Sequence, residues 1–562
     1  VTPEVEVGQR LAEAISAAEP EGSRRLGELI ERLEAEGRLR TVKMPEPAAE
    51  SGSGLAAGSL PIRGVSFDSR RVRAGCVFVA VPGEHVDGHD YVPAAIALGA
   101  AAAIVERPLP AAGVPQIVVD RSQAALATAA AWWYGDPSRE LAVVGVTGTD
   151  GKTTTSFLAT AVLEAGGISA GLLTTAEIKV GELRGANPEH VTTPQAPQLQ
   201  KSLRAMVRAG NRAAIVETTS HGLALGRVAG IAYDSAVFTN LTHEHLELHG
   251  TFEAYREAKL GLFRRLGGPP KPAVPFAPRV AIVNCDDASA PLFEAAATEA
   301  GVTVLRYGVG PQADVRALDV SDAGGRPRFT VQTPGWRSEI ALRMVGRFNV
   351  SNALAAIALG EAFGLDPAVV REAVAGMPGV PGRMELVELG QPFRVVVDYA
   401  HSPASLTTVL DQLAPLAAGS GGLIVVFGSA GERDVQKRPM MGRIAGERSR
   451  LVVVTDEDPR GEDRYAILDE IAAGAEAAGR RRGDDLLLIA DRREAIEAAF
   501  GRARPGDVVL LAGKGHEQSI IMADGPRAWD EKSEALAALT RMGYSGWPVP
   551  PGRGESRSAQ TE

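Results

Sequence analysis

The run Val143 to Thr155, VVGVTGTDGKTTT, joins an apolar strand pattern to a glycine-rich turn, a lysine followed by hydroxyls, and a helical pattern. Backbone N–H groups of such a turn, with the helix N-terminus behind it, bind phosphate. Lys152 can reach terminal phosphates, and Thr153 can offer its oxygen to magnesium. Five residues separate Gly145 from Gly151, one more than the commonest phosphate loop has. The strand before and the helix after favour a nucleotide site over a glycine-rich turn with a surface lysine.

Three later segments concentrate charge just after apolar runs: Gly428 to Pro439 (GSAGERDVQKRP), Glu457-Asp458-Pro459-Arg460, and Gly513-Lys514-Gly515-His516-Glu517. Side chains that follow strands of one sheet gather at its carboxyl edge, where α/β proteins hold ligands. Carboxylates and arginines converging there suit a zwitterionic amino acid, arginine gripping its carboxylate and glutamate its ammonium. Taken singly, each arginine is equally well a solvated surface charge.

The elements that must position these groups recur with a βα rhythm. Residues 1 to 54 read as a partly disordered extension and linker, with an amphipathic stretch from Leu26 to Leu39 before the Pro, Ala, Gly and Ser-rich PEPAAESGSGLAAGS. From 55 to 137, CVFVAV, AAAIVE and PQIVVD predict a small α/β domain. From 138 to 380, LAVVGVTGT, RAAIVETTS, DSAVFTNL and RVAIVNCDD alternate with helical patterns, as in a mostly parallel sheet covered on both faces. The rhythm restarts over 381 to 545, and 546 to 562 read as a disordered tail. Length alone asks for several cores. No run of eighteen apolar residues occurs, and residues 1 to 30 lack a signal-peptide pattern, so a cytoplasmic location without membrane attachment is expected. Cys76 and Cys285 stand far apart, without zinc-site spacing, and a net charge of −10 argues against a nucleic-acid footprint.

TGTDGKTTT resembles the T-G-T-N-G-K-T-T-T loop of the Mur ligases, with Asp150 adding a negative charge where asparagine is usual. Glu217-Thr-Thr-Ser-His-Gly-Leu-Ala-Leu-Gly-Arg227 is similar to that family's E-V-S-S-H-x-L-x-x-x-R, and Phe238 to Gly250 (FTNLTHEHLELHG) to its T-N-L-x-x-D-H-L-D-x-H-G, with Glu244 and Glu247 for the aspartates. Tyr255-Arg-Glu-Ala-Lys259 stands where the family carries a carbamylated lysine. Asn284 to Asp287 and Gly346 to Asn352 resemble segments near the adenine and the end of the central domain. In all, the resemblance spans residues 61 to 544.

The resemblance implies three α/β domains: a small UDP-substrate domain, a central phosphate-loop ATPase domain with a mostly parallel sheet, and a Rossmann-like C-terminal domain. It implies that Gly148, Thr149, Asp150, Gly151, Lys152, Thr153, Thr154, Asn284 and Asn349 contact ATP. Thr153 and Glu217 would hold one magnesium ion, His245 and carbamylated Lys259 a second, with Lys152, Lys259 and His245 as the catalytic set. Phe67, Ser69, Glu84, His85, Val86, Thr192, Thr193, Thr219, Leu225 and Arg227 match positions that contact a UDP-muramoyl dipeptide in the third-residue-adding branch. Leu225 does not keep the usual amide. Arg433, Glu457, Asp458, Pro459, Arg460, Gly513 and Glu517 match the site of the incoming amino acid.

The implied reaction is amide formation by a monomeric, ATP- and magnesium-dependent ligase in cell-wall precursor synthesis. The amino acid added is a diamino acid. Arg460 favours a second carboxylate, by about 1.5–3 kcal/mol for a charge-assisted pair. Asp458 is expected to repel that carboxylate and to attract the ammonium of L-lysine or L-ornithine instead. The balance sets meso-diaminopimelate narrowly ahead. The alternatives are a folylpolyglutamate synthase and a catalytically idle nucleotide-binding regulator.

Overall fold

The structure, a computed structural model, describes residues 3–45, 57–83, 86–110, 112–187, 191–242 and 246–546. The chain divides into two compact units, one of Val1–Leu318, Val331–Ser338 and Ser351–Val374, the other of Asp319–Thr330, Glu339–Val350 and Ala375–Glu562.

The first unit contains a small sheet ordered Leu39–Lys43, Gln116–Val119, Ala102–Val105, Cys76–Val79, Gly64–Ser66, parallel except for its first pair. Alternate residues of a strand face opposite sides. Val77 and Val79 accordingly enter a core with Trp132 and Trp133, while Cys76 and Phe78 enter another with Val92 and Ala95. Residues 3–45, read from sequence as extension and linker, form helices Pro3–Ala17 and Leu26–Ala35 and the edge strand Leu39–Lys43. Leu26, Leu29 and Leu33 lie on one helical face and are fully buried, each stabilising by about 1.5–3 kcal/mol. Glu19 ties this segment down by accepting from Trp133 Nε1 at 3.1 Å and from the Tyr134 hydroxyl at 2.8 Å. Residues 46–56, the Pro- and Ser-rich stretch, lie outside the described residues.

The larger sheet of this unit runs in the order Leu183–Ala186, Glu177–Val180, Ala170–Leu173, Ala213–Glu217, Ala142–Thr147, Ser235–Phe238, Val280–Asn284, Thr303–Gly308. All its strands from Ala170–Leu173 onward are parallel. Continuous apolar runs such as Ala142–Thr147 and Ala213–Glu217 are buried along their whole length, as a sheet covered on both faces requires.

The second unit holds a six-stranded sheet ordered Glu385–Val387, Arg394–Asp398, Val508–Ala512, Leu423–Phe427, Leu451–Val454, Leu486–Leu488, parallel except for the first pair. Along Leu423–Phe427, Val425 and Phe427 face one core, Ile424 and Val426 the other. No described helix is long and apolar enough to cross a membrane. Both cysteines are free, and burial raises both thiols, Cys285 to about 11.

Candidate active site

The phosphate loop leaves the central strand Ala142–Thr147, flanked in register by Glu217 opposite Val146 on one side and Phe238 opposite Thr147 on the other. The loop is seated tightly. Gly148 has φ +152°, and a Cβ there would lie 1.9 Å from Thr239 Oγ1 and 3.0 Å from the Asn240 backbone. Gly151, at φ +79°, would put a Cβ 2.4 Å from Asn352 Oδ1. Glycine is the residue that admits such close approach. Helix Lys152–Ala165 starts at Gly151 with no side-chain cap, so its first N–H groups are open to an anion.

Lys152 Nζ donates to the Thr149 carbonyl at 2.6 Å, curling over the loop. Thr153 Oγ1 donates to Glu217 Oε2 at 3.0 Å, and the Thr175 N–H meets the same oxygen at 3.1 Å. A buried hydroxyl and carboxylate from adjoining elements thus converge as hard oxygen donors suited to magnesium. Lys259 is buried with its Nζ 2.6 Å from the Gly148 carbonyl and 4.6 Å from the centre of the Tyr255 ring. Tyr255 and Thr149 share a hydroxyl–hydroxyl hydrogen bond of 3.0 Å. Asp150, expected to set a negative charge beside phosphate, is exposed. Its N–H donates to Asn240 Oδ1 and its carbonyl accepts from Thr239 Oγ1. Thr154 is buried in the first turn of the helix.

Of the expected ATP contacts, Asn284 is occupied in bracing. Its Nδ2 donates to the Thr239 carbonyl at 2.6 Å and its Oδ1 accepts from the Asp286 N–H at 3.1 Å. Asn349 is buried and donates to the Val345 carbonyl at 2.7 Å. His245 lies outside the described residues, as do Glu84 and His85. Among the described residues no three His, Cys, Asp or Glu side chains converge as a metal cluster.

A threonine network continues from Glu217. Thr193 Oγ1 donates to the Glu217 carbonyl at 3.2 Å, and Thr219 donates to Thr193 Oγ1 from both its N–H (3.1 Å) and its hydroxyl (3.0 Å). Thr192 accepts from Thr175 at 2.7 Å. Arg227 Nη1 donates to the Thr193 carbonyl at 2.9 Å, while its buried Nε has no partner among the described residues. Burial without a counter-charge lowers the Arg227 pKa, so an anionic ligand there would be favoured. Leu225 caps the short helix Ser220–Ala224 and is half-buried. In the small sheet's loops, Phe67 packs at the edge of the core and Ser69 opens a short 3-10 turn, whereas Val86 is exposed. Asp87 caps a second 3-10 turn, Gly88–Tyr91, by accepting from the His89 N–H and ring and from Arg107. These bonds keep its carboxyl well below the usual carboxylate range.

In the second unit the charged loops converge as the strand order requires. Asp458 Oδ1 accepts from Lys514 Nζ at 2.8 Å and from the Ile521 N–H at 2.9 Å. Lys514 also meets Glu517 at 2.5 Å, and Tyr399 donates to the other Glu517 oxygen at 3.2 Å. Asp458 is thus an ion-paired carboxylate rather than the uncompensated one expected from sequence. Arg460 adopts a left-handed backbone, φ +54°, rare for a non-glycine residue and frequent at functional loops. Its N–H is held by the Ile521 carbonyl, and its Nε is buried without a partner among the described residues. Glu457 is buried with Oε2 unpartnered among the described residues, and Gly513 sits over it, where a Cβ would come within 3.3 Å. Gly431 approaches the Pro459 carbonyl closely, joining the Gly428 loop to these two. Arg433 is exposed and has no ion pair among the described residues.

Tyr255, Asn352, Lys514 and Arg492 join these sites without having been singled out in sequence. The first three lie inside the quoted motifs, whereas only the fold reveals Arg492.

A phosphate loop closed by a hydroxyl–carboxylate pair, together with an α/β unit whose loops gather carboxylates and arginines, defines an enzyme that couples a nucleotide triphosphate to another substrate. Family profiles match the chain as Mur ligase family, catalytic domain, at 61–134; Mur ligase middle domain at 146–360; and Mur ligase, glutamate ligase domain, at 382–515. It is similar to the UDP-N-acetylmuramyl-tripeptide synthetase of Roseiflexus sp. (strain RS-1), 50% identical over 490 residues, 86% of this chain and 96% of that protein. It is also similar to the UDP-N-acetylmuramoyl-L-alanyl-D-glutamate--2,6-diaminopimelate ligase of Geobacter metallireducens, 40% identical over 513 residues, 89% of this chain and 97% of that one. A solved structure of a UDP-N-acetylmuramoyl-L-alanyl-D-glutamate--2,6-diaminopimelate ligase, 29% identical, matches 92% of this chain and 99% of its own with a TM-score of 0.62. The chain belongs to the Mur ligase family, with its three-domain α/β architecture, and is an ATP-dependent amide ligase.

Proposed function

We propose that this protein uses ATP to join a diamino acid to the terminal carboxylate of UDP-N-acetylmuramoyl-L-alanyl-D-glutamate, acting in the cytoplasm as a monomer. The observation that carries this reading is the continuity of two anion sites: Glu217 accepts from Thr153 of the phosphate loop through its side chain and from Thr193, Arg227's partner, through its carbonyl. One strand end therefore serves both a nucleotide phosphate and a substrate anion.

A carboxylate is a poor electrophile at neutral pH, which is why activation is needed. One of its oxygens attacks the γ-phosphorus and ADP leaves. The amine then attacks the acyl carbon, and phosphate departs with that oxygen. Lys152 supplies positive charge to the phosphoryl group, and the open N–H groups at Gly151 orient it. Magnesium, held by Thr153 and Glu217, would neutralise charge on the transferred group. Lys259, buried against Gly148, would on the family resemblance carry a carbamate, a carboxylate on a long stem. His245 completes that second set on resemblance alone.

For the amino acid, Arg460 keeps a guanidinium nitrogen unpartnered among the described residues while Asp458 is ion-paired with Lys514. This supports meso-diaminopimelate ahead of L-lysine or L-ornithine. An idle nucleotide binder loses support from Asp150, because that residue is exposed to solvent while the helix start at Gly151 stays uncapped.

The test is phosphate release with ATP, UDP-muramoyl dipeptide and diamino acid, each omitted in turn. Release is expected only from the complete mixture and lost in Lys152→Ala at an unchanged unfolding temperature. Release without the dipeptide, or full activity in Lys152→Ala at saturating ATP, would remove the reading. Lys259→Ala should be inactive and partly restored by a small carboxylate at high concentration; full activity without rescue would count against the carbamate.

A further inference from the structure

Glu457–Arg460 and Gly513–Glu517 follow two strands, Leu451–Val454 and Val508–Ala512, that are not neighbours, since Leu423–Phe427 lies between them. Ladder hydrogen bonds fix each strand against the middle one but stop at the strand ends. Nothing in the ladder sets the spacing of the two loops. Lys514 and Asp458 tie them farther out.

Arg492, the first residue of helix Arg492–Arg502, spans the gap at the loop roots. Its Nη1 donates to the Asp456 carbonyl at 3.0 Å and its Nη2 to the Ala512 carbonyl at 2.7 Å, the residues immediately before Glu457 and Gly513. Glu531 receives the other edge of the guanidinium, Nε at 2.9 Å and Nη2 at 2.7 Å, and Trp529 Nε1 donates to Glu531 at 2.6 Å. Both charged side chains are 0% exposed. A buried ion pair is weak evidence for stability, because apolar residues of similar volume often serve as well. A guanidinium fork does supply fixed directions that a lysine ammonium cannot.

We propose that Arg492, oriented by Glu531, is a positioning residue for the incoming amino acid: it sets the separation of the two loops and thereby the affinity for that substrate without touching it. The inference rests on reading those loops as the amino-acid site.

Steady-state kinetics on the full chain test it. Arg492→Lys keeps a charge for Glu531 but cannot reach both carbonyls. The double variant Arg492→Met with Glu531→Met keeps the core filled and removes the clamp. In both, KM for the amino acid should rise at least tenfold, with kcat within about threefold and KM for ATP and UDP-muramoyl dipeptide within about twofold. An amino-acid KM within twofold of the parent, or an equal rise in all three constants, overturns the proposal. Should the double variant not fold, Arg492→Lys decides alone. Arg460→Met and Glu517→Gln, measured alongside, separate the two failures. If neither changes the amino-acid KM, the loops are not the amino-acid site and the proposal falls with that reading; if both raise it while Arg492→Lys does not, only the clamp is wrong.

Discussion

The ammonium of Lys514 lies 2.8 Å from a carboxylate oxygen of Asp458 and 2.5 Å from one of Glu517, with the lysine fully buried between two acids. The charge that distinguishes this chain's Glu-Asp-Pro-Arg segment is therefore compensated within the protein.

Asp458→Asn leaves Lys514 with one counter-charge fewer, so the site gains positive charge near Arg460. The ratio of kcat/KM for meso-diaminopimelate over L-lysine should rise about tenfold, the equivalent of 1.4 kcal/mol. Initial rates with the two amino acids check it, and a shift toward lysine would reverse the assignment of Arg460. Lys514→Met, which strands two carboxylates, should cost about 3–5 kcal/mol in urea unfolding.

Much of this was legible in the residues. Apolar runs such as RAAIVE and LIVVF are strands because β-branched and aliphatic residues fill a sheet covered on both sides. The motif residues fall at strand ends because that is where loops meet. Less was legible where alternation was the only signal. The edge strands Glu177–Val180 and Leu183–Ala186 mix charges with apolar residues, and helix Pro3–Ala17 precedes a Gly- and Ser-rich segment that masked it as linker. Partners were not legible either. Asp458 read as a free charge because its neutraliser, Lys514, is 56 residues distant. The partners of Asn284, whose amide spans Thr239 and Asp286, were likewise not readable from the sequence.

Gly148→Ala drives a Cβ into Thr239 Oγ1 and the Asn240 backbone at a positive φ. Turnover should fall at least a hundredfold, with stability lower by about 1–3 kcal/mol. Gly261→Ala, in helix Phe252–Arg264 with nothing within 4 Å of the added atom, should instead stabilise by about 0.5–1 kcal/mol. Thermal unfolding and activity assays on the pair check both. Equal effects in the two variants would contradict the seating of the loop.

Arg227→Met removes a half-buried guanidinium whose charge is disfavoured by burial and would be favoured by a substrate anion. KM for UDP-muramoyl dipeptide should rise at least tenfold while KM for ATP stays within about twofold. A matching rise in the ATP constant would place Arg227 with the nucleotide instead.

Asp87 titrates below its ordinary value because the His89 N–H, Arg107 and the His89 ring favour its charged form. A depressed folded pKa contributes stability that is fully present above the unfolded value of about 3.9 and is lost as pH falls below it. Asp87→Asn should therefore lower the urea midpoint at pH 7 and show a smaller further loss between pH 4.5 and pH 3 than the parent. Parallel pH profiles for the two proteins would show that the turn does not depend on this charge.

The central claim, that ATP activates the dipeptide's own carboxylate, is tested most directly by oxygen-18. With label in the terminal carboxylate of the UDP-muramoyl dipeptide, the inorganic phosphate released should carry one labelled oxygen for each amide formed. Phosphate without label, or phosphate formed without amide, would contradict the account.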